Sequence, residues 1–142
     1  MPAHSSKTAK YLIFISHSTK DRWVARQIAK LISEKGAGHG IEVFLDEKDI
    51  EGGDIISDAI RKNIQECNEF LVLLTEASIN SDWVLIELGA TWGYEKRIIA
   101  IVDKIAPEQM PQVLNLNKAI ELNNIDDYLK QVVNRAKRGK GK

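Results

Sequence analysis

Short apolar runs alternate along this chain with longer stretches in which apolar residues recur at helical spacing. The runs are rich in β-branched and aromatic residues, as buried strands are, and they cover residues 11–16, 41–45, 70–74, 97–102 and 119–122. The stretches between them predict helices over residues 21–35, 54–66, 78–96 and 125–136, with a short helix before the fifth strand. Run 70–74 is the most apolar and predicts a central strand, whereas the weak run 119–122 predicts an edge strand.

This alternation predicts an α/β fold. Strands that are separated by helical crossovers cannot pair as hairpins, and strands buried on both faces read as continuous apolar runs. Right-handed crossovers then give an open, doubly wound, parallel five-stranded sheet of the flavodoxin-like type. We expect Trp23, among the apolar positions of the first helix, and Trp92 in the third helix to pack in the core.

Composition narrows the range of functions. A length of 142 residues fits a single domain. The 20 basic and 20 acidic residues leave no net charge, whereas a dedicated nucleic-acid binder normally carries a positive excess. The apolar runs are too short to span a bilayer, and no secretory signal precedes them. We therefore expect a soluble, cytoplasmic protein that binds neither nucleic acid nor membrane.

The domain is expected to cover residues 11–136, between a flexible N-terminus (1–10) and a basic flexible tail (137–142). Five of the last eight residues are basic: Arg135, Lys137, Arg138, Lys140 and Lys142. They are interpreted as a solvated terminus. The single cysteine, Cys67, fits a reducing compartment and is expected to be an inert, buried thiol.

Ligands of open parallel sheets bind beyond the carboxyl ends of the strands. Here that edge would be formed by residues 16–19, 46–54, 75–81 and 103–104. These segments contain neither a dinucleotide-binding glycine motif nor a phosphate loop, and no nucleophile elbow occurs in the chain. The histidines and Cys67 lack the spacing of metal ligands, so we expect no metal.

Three motifs resemble those of the Toll/interleukin-receptor homology (TIR) domain, in the family's order and at its spacing. They are FISHSTKD (14–21), FLDEKDIEGGD (44–54) and SDWVLIELG (81–89). The first resembles the box at the family's first strand, and the second resembles its BB loop. The third resembles the W-x-x-x-E segment of TIR domains that cleave NAD. The similarity is greatest to the bacterial, defence-related branch.

The resemblance implies an NAD glycohydrolase or an ADP-ribosyl cyclase, for which NAD is the substrate and no cofactor is needed. Glu87 is the catalytic residue that the resemblance marks, four residues after Trp83 and therefore on the same side of a helix. Cleavage of the nicotinamide–ribose bond passes through an oxocarbenium-like transition state. Because nicotinamide leaves without needing a proton, one carboxylate can suffice, and the product is ADP-ribose or a cyclic isomer of it.

The other expected site residues lie around the same edge. The substrate-binding candidates are Ser16, His17, Ser18, Phe44, Asp46 and Trp83. Alternatively, Ser18 or Thr19 caps a helix, Phe44 and Trp83 pack in the core, and Glu87 is a solvated helix carboxylate. The BB-like loop is interpreted as a lid over NAD or as a surface that binds another TIR domain. Its expected interaction residues are Lys48, Asp49, Ile50, Gly52 and Gly53.

Two other functions stay open at this point. The chain could be a non-enzymatic module for TIR–TIR interaction, or an N-glycosidase or deoxyribosyltransferase acting on nucleosides or nucleotides. For the NAD-cleaving enzyme, the resemblance also implies self-association and a role in antiphage defence or immune signalling. A downstream effector that senses the nucleotide product would then be a partner.

Overall fold

The structure, a computed structural model, describes residues 10–45, 58–79, 82–93, 96–110 and 119–140. Its strands are β1 (Tyr11–Ser16), β2 (Ile41–Leu45), β3 (Glu69–Leu74), β4 (Arg97–Val102) and β5 (Ile120–Glu121). Its helices are α1 (Arg22–Lys35), α2 (Asp58–Glu66), α3 (Asp82–Gly93) and α4 (Ile125–Lys140). Between β4 and β5, the described residues contain a 3₁₀ turn at Pro107–Gln109, and the expected short helix before β5 is otherwise outside the described residues. No helix in these ranges is long and apolar enough to cross a membrane.

The five strands form one parallel sheet in the order β2-β1-β3-β4-β5. This is the order of flavodoxin-like doubly wound folds, so the predicted fold class is confirmed. As predicted, β3 is central, with all six residues buried, and β5 is a two-residue strand at the edge. Because every strand runs in the same direction, the carboxyl ends of β1, β3 and β4 lie side by side along one edge of the sheet.

Helices cover both faces of the sheet and create two cores. Leu71 and Leu73 of β3 pack in the core beneath α1 and α4. Phe70 and Val72 face the opposite way, into the core beneath α2 and α3. A strand that is buried on both faces in this manner reads as an uninterrupted apolar run, which is why the sequence identified β3 so clearly.

Two tryptophans lie on the surface, where the sequence analysis expected them in the core. The exposed fraction is 71% for Trp23 and 52% for Trp92. With 3.6 residues per turn, Trp23 lies about 160° around α1 from the buried Ala25, on the solvent side. Trp92 lies about 80° around α3 from the buried Val84, at the margin of the packed face. Both predictions were wrong because the apolar character of a residue does not give its angle around the helix.

The boundaries of α3 and α4 also differ from those predicted. Ser78 lies in a turn before α3, because its hydroxyl accepts a hydrogen bond from the Thr75 amide and donates one to the Leu73 carbonyl, each at 2.8 Å. α4 continues to Lys140, one turn beyond the predicted end at residue 136. Lysine and arginine are good helix formers, and cations are favoured near a helix C-terminus, which explains the extension.

A buried acid at the amino end of β3 joins the first strand to the last helix. Glu69 has no exposed surface and accepts hydrogen bonds from the hydroxyls of Tyr11 (2.5 Å) and Tyr128 (3.0 Å). Arg135 donates from Nε to one carboxylate oxygen and from Nη2 to the other, the latter at 2.9 Å. The assignment of Arg135 to a solvated terminus was therefore wrong, since its side chain is 13% exposed and ion-paired.

The surroundings of this cluster shift the pKa values of its tyrosines and its arginine. Burial raises the pKa of Tyr11, and the hydrogen bond to Glu69 raises it further. Burial and the charge of Glu69 likewise raise the pKa of Tyr128. Burial lowers the pKa of Arg135, but Glu69, Tyr128 and Tyr11 together raise that pKa by more, so the net shift is upward. The tyrosines thus stay neutral donors and the arginine stays charged.

Cys67 is a buried thiol, as predicted. It is 1% exposed, and its Sγ donates a hydrogen bond to the Ile64 carbonyl at 3.1 Å. Burial raises the pKa of the Cys67 thiol to about 11. Because the thiolate is the reactive form, this group is inert at neutral pH.

The Glu69 cluster yields a test by substitution within α4. Arg135→Met leaves a buried carboxylate without its cation, and we expect it to lower the free energy of unfolding by about 3 kcal/mol. Arg138→Met makes the same chemical change at an exposed position of the same helix and should change the free energy of unfolding by less than about 0.5 kcal/mol. Urea unfolding followed by circular dichroism measures both. Equal stability of the two variants would show that the ion pair contributes nothing.

Candidate functional site

Two of the predicted site residues meet at the carboxyl edge of the sheet. Ser16 is the last residue of β1, Glu87 lies in α3, and neither has any exposed surface. The Ser16 hydroxyl donates a hydrogen bond to Glu87 Oε1. This contact joins residues that are 71 positions apart in sequence, at the edge where doubly wound folds bind their ligands.

Three stacked phenyl rings lie beside this contact. Phe44, Phe14 and Phe70 occupy paired positions on β2, β1 and β3. The centroid of the Phe14 ring is 5.1 Å from that of Phe44 and 5.3 Å from that of Phe70. Ser16 follows Phe14 by two residues and so shares its face of the sheet. Phe44 is half-buried against the core, as its alternative interpretation expected, while its contact with substrate stays a prediction.

Glu87 is not a solvated helix carboxylate. It shares the sheet-facing side of α3 with Val84, Leu88 and Thr91, which are all buried. Burying an ionised carboxylate is costly unless hydrogen bonds compensate for the lost water. A carboxylate kept at such a place, on the ligand-binding edge of the fold, is typical of a functional site. Sequence reasoning missed Thr91, although its position one turn after Glu87 on the same helix was a usable signal.

His17 presents a buried hydrogen-bond acceptor. The side chain is 2% exposed, and Nδ1 lies 2.8 Å from the carbonyl oxygen of Ser18. A carbonyl can only accept, so Nδ1 carries a proton, and in that tautomer of the neutral ring Nε2 is an acceptor. Nothing in the described part of the chain forms a hydrogen bond with Nε2. Those same residues contain no cluster of His, Cys, Asp or Glu that could hold a metal ion.

Ser18 and Asp21 organise the loop after β1. The Ser18 hydroxyl accepts a hydrogen bond from the Lys20 amide at 3.2 Å and caps the 3₁₀ turn Thr19–Asp21, which confirms the capping interpretation. Asp21 Oδ2 accepts a hydrogen bond from the Thr75 hydroxyl at 2.5 Å. Sequence reasoning missed this link, which fastens together the loops that follow the neighbouring strands β1 and β3. A role for Ser18 in substrate binding stays a prediction.

The remaining site predictions fall outside the described residues. They concern Asp46 and the expected interaction residues Lys48, Asp49, Ile50, Gly52 and Gly53. Trp83 lies in α3, four residues before Glu87, but its side chain is not among those described. The proximity of the indole to the carboxylate therefore stays a prediction.

Known proteins are similar to this chain in sequence. A model of the TIR domain family matches residues 13–134. The probable 2′ cyclic ADP-D-ribose synthase BdTIR of Brachypodium distachyon is 28% identical over 102 residues, which are 72% of this chain and 45% of the relative. The 2′ cyclic ADP-D-ribose synthase BtTIR of Bacteroides thetaiotaomicron is 26% identical over 138 residues, covering 89% of this chain and 46% of the relative. The chain thus spans less than half the length of either relative.

Solved structures share the fold. The TIR domain of the Toll-related receptor TRR-2 from Hydra magnipapillata has a TM-score of 0.63 at 17% identity, covering 89% of this chain and 97% of that domain. The TIR domains of the activated Roq1 resistosome have a TM-score of 0.54 at 18% identity, covering 94% and 85%. The CMP N-glycosidase BcmB of Clostridium botulinum has a TM-score of 0.54 at 17% identity, covering 85% and 97%. At these identities the likeness shows the fold alone.

The two buried glutamates provide a stability test of the site. Glu87→Gln retains the shape of the side chain and an acceptor for the Ser16 hydroxyl, so we expect it to change the free energy of unfolding by no more than about 1 kcal/mol. Glu69→Gln is the matched control, and it should lower that free energy by about 3 kcal/mol because Arg135 loses its partner. Urea unfolding compares the two variants with the parent. A loss of stability in Glu87→Gln as large as that in Glu69→Gln would make Glu87 a structural anchor.

Proposed function

This chain belongs to the TIR-domain family, and on that premise we propose that it cleaves the nicotinamide–ribose bond of NAD, with Glu87 as the catalytic carboxylate. The observation that carries the proposal is the burial of Glu87 at the carboxyl edge of the sheet, with its Oε1 held by the Ser16 hydroxyl. The names of both curated relatives, which are synthases of 2′ cyclic ADP-D-ribose, support the same chemistry.

The reaction suits a single buried carboxylate. The nicotinamide ring of NAD is a cation, so it leaves as a neutral molecule and needs no general acid. Positive charge develops on the ribose as the bond breaks. The carboxylate of Glu87 stabilises that charge more strongly in a buried site than it would in water, because the surroundings screen it less. The hydrogen bond from Ser16 orients the carboxylate before the substrate arrives.

Substrate access requires a local rearrangement. Glu87 and Ser16 have no exposed surface in this conformation, so no ligand can touch the carboxylate until the side chains around it separate. Enzymes of many folds open and close around their substrates in this way. We propose the BB-like loop, residues 46–54, as the lid, which was one of its two interpretations from sequence.

Two products are compatible with this site. Water attacking the ribosyl cation gives ADP-ribose, whereas a hydroxyl of the same substrate gives a cyclic isomer. In either case the nucleophile releases its proton to water as the new carbon–oxygen bond forms. The names of the two curated relatives favour the cyclic product with a 2′ linkage.

We further propose that the enzyme self-associates and acts in cytoplasmic defence or immune signalling, through an effector that senses its product. The TIR domains of the activated Roq1 resistosome, which share the fold, support assembly as the setting. The expected contact surface is again the BB-like loop. The alternative function is binding of other TIR domains without catalysis, which such assembly would also support.

A second candidate activity is cleavage of a nucleotide N-glycosidic bond. It is favoured by the fold that the chain shares with the CMP N-glycosidase BcmB. A buried carboxylate would stabilise a ribosyl cation in that reaction as well. CMP therefore belongs beside NAD in any assay of this protein.

The decisive experiment measures nicotinamide release from NAD across a range of protein concentrations, with products resolved by chromatography and mass. We expect release by the wild type and a loss of at least about 10²-fold in Glu87→Gln. Glu66→Gln, the same change at an exposed position of α2, should retain full activity. A steeper than linear dependence on protein concentration would support self-association.

The other outcomes separate the alternatives. Release from CMP without release from NAD would favour the N-glycosidase. No release from either substrate at any protein concentration would favour the interaction module. Equal activity of wild type and Glu87→Gln would show that Glu87 is not the catalytic residue.

A further inference from the structure

Asp21 and Thr75 join two loops through a contact that the mechanism above does not use. Backbone pairing between β1 and β3 ends at Ser16 and Val72, so the loops that follow these strands lie beyond the paired part of the sheet. Asp21 Oδ2 accepts a hydrogen bond from the Thr75 hydroxyl at 2.5 Å, and both residues are half-buried. Because a hydrogen bond to a carboxylate is about twice as strong as one between neutral groups, this contact sets the distance between the two loops.

Thr75 also builds the turn that leads into α3. Its hydroxyl oxygen accepts hydrogen bonds from the amides of Ala77 at 3.1 Å and Ser78 at 3.3 Å. Its carbonyl accepts one from the Ile79 amide at 3.0 Å. The helix that carries Glu87 follows this turn in the chain. The position of Thr75 therefore determines where the chain enters α3.

The contacts on the other side of the link lead back to Ser16. The Asp21 amide donates a hydrogen bond to the Ser18 carbonyl at 2.9 Å, two residues after Ser16. A closed ring results, from Ser16 along its loop to Asp21, across to Thr75, through the turn to α3, and from Glu87 back to Ser16. Apolar packing of α3 on the sheet is not directional, whereas hydrogen bonds fix both distance and angle. The link thus lies where it can fix α3 along the edge of the sheet.

We infer that Asp21 is a positioning residue, which acts through Thr75 to hold the Glu87 carboxylate against the Ser16 hydroxyl. The inference rests on the proposed function and deepens it, because the rate depends on where this carboxylate lies relative to the ribose. A displacement of about 1 Å at a catalytic group can cost about 10²-fold in rate. Asp21 exerts this effect without any contact with the substrate.

Four single substitutions probe the link. Thr75→Val removes the hydroxyl and retains the shape of the side chain, whereas Thr75→Ser retains the hydroxyl and tests rescue. Asp21→Ala removes the acceptor from the N-terminus of α1. Asp127→Ala is its matched control, since it removes an exposed acid from the first turn of α4 and reproduces any effect of the helix dipole. Circular dichroism gives the folded fraction of each variant, to which its rate is normalised.

The first measurement is the kcat and KM of NAD cleavage. We expect Thr75→Val and Asp21→Ala to lower kcat by about 10- to 100-fold while KM changes by less than about 3-fold. Thr75→Ser and Asp127→Ala should stay within about 3-fold of the wild type. An unchanged kcat in Asp21→Ala would overturn the inference while leaving NAD cleavage intact, and so would equal losses in Thr75→Ser and Thr75→Val.

A double-mutant cycle with Ser16→Ala separates positioning from a general effect on the fold. If the link acts through the contact of Ser16 with Glu87, Thr75→Val should lower kcat by less than about 3-fold once the Ser16 hydroxyl is absent. A loss of the same size in both backgrounds would make the link merely structural and would overturn the inference.

The same cycle in urea unfolding distinguishes this failure from failure of the proposed function. If the wild type does not cleave NAD, the enzyme is refuted, and the urea midpoints then test the link. A smaller shift on Ser16→Ala in the Thr75→Val background than in the wild type would show that the link holds the contact between Ser16 and Glu87. Additive shifts would overturn the inference as well.

Discussion

The requirement that governs this structure is that a parallel sheet must be covered on both faces. Helices α1 and α4 cover one face, α2 and α3 cover the other, and β3 is buried along its whole length between them. Such a strand has no solvent face on which to carry polar groups. Polar chemistry is therefore confined to its two ends, where the chain enters and leaves the sheet. Glu69 occupies the amino end of β3, and the pair of Ser16 and Glu87 occupies the carboxyl edge.

These two buried acids lie at opposite edges of the sheet and differ in their surroundings. Glu69 is surrounded by donors from Tyr11, Tyr128 and Arg135, and its charge is neutralised within the cluster. Glu87 instead lies on an apolar helix face, with a hydroxyl as the donor to Oε1. The position of Glu87 at the ligand-binding edge supports the catalytic role proposed above.

The sequence predicted the fold well because the apolar runs of the strands and the spacing of the helices follow directly from burial on two faces. It predicted Glu87 by resemblance, and the structure added the contact with Ser16. Periodicity did not give the angular positions of Trp23 and Trp92, which depend on where the packed face of each helix is centred. The burial of Glu69 was not predicted, because an acidic residue at the start of a strand usually lies on the surface. Its donors Tyr11 and Arg135 lie 58 and 66 positions away, beyond any local pattern.

The Glu69 cluster also affects local opening of the folded domain. Among the described residues, three of the four donor contacts to Glu69 come from α4, one from Tyr128 and two from Arg135. If α4 detached alone, it would leave a charged carboxylate at the end of the central strand with Tyr11 as its remaining donor. Partial opening at this helix is thereby penalised, and its innermost amides are coupled to unfolding of the whole domain. The last helix and the first strand behave as one cooperative unit, closed by a single side chain at the end of β3.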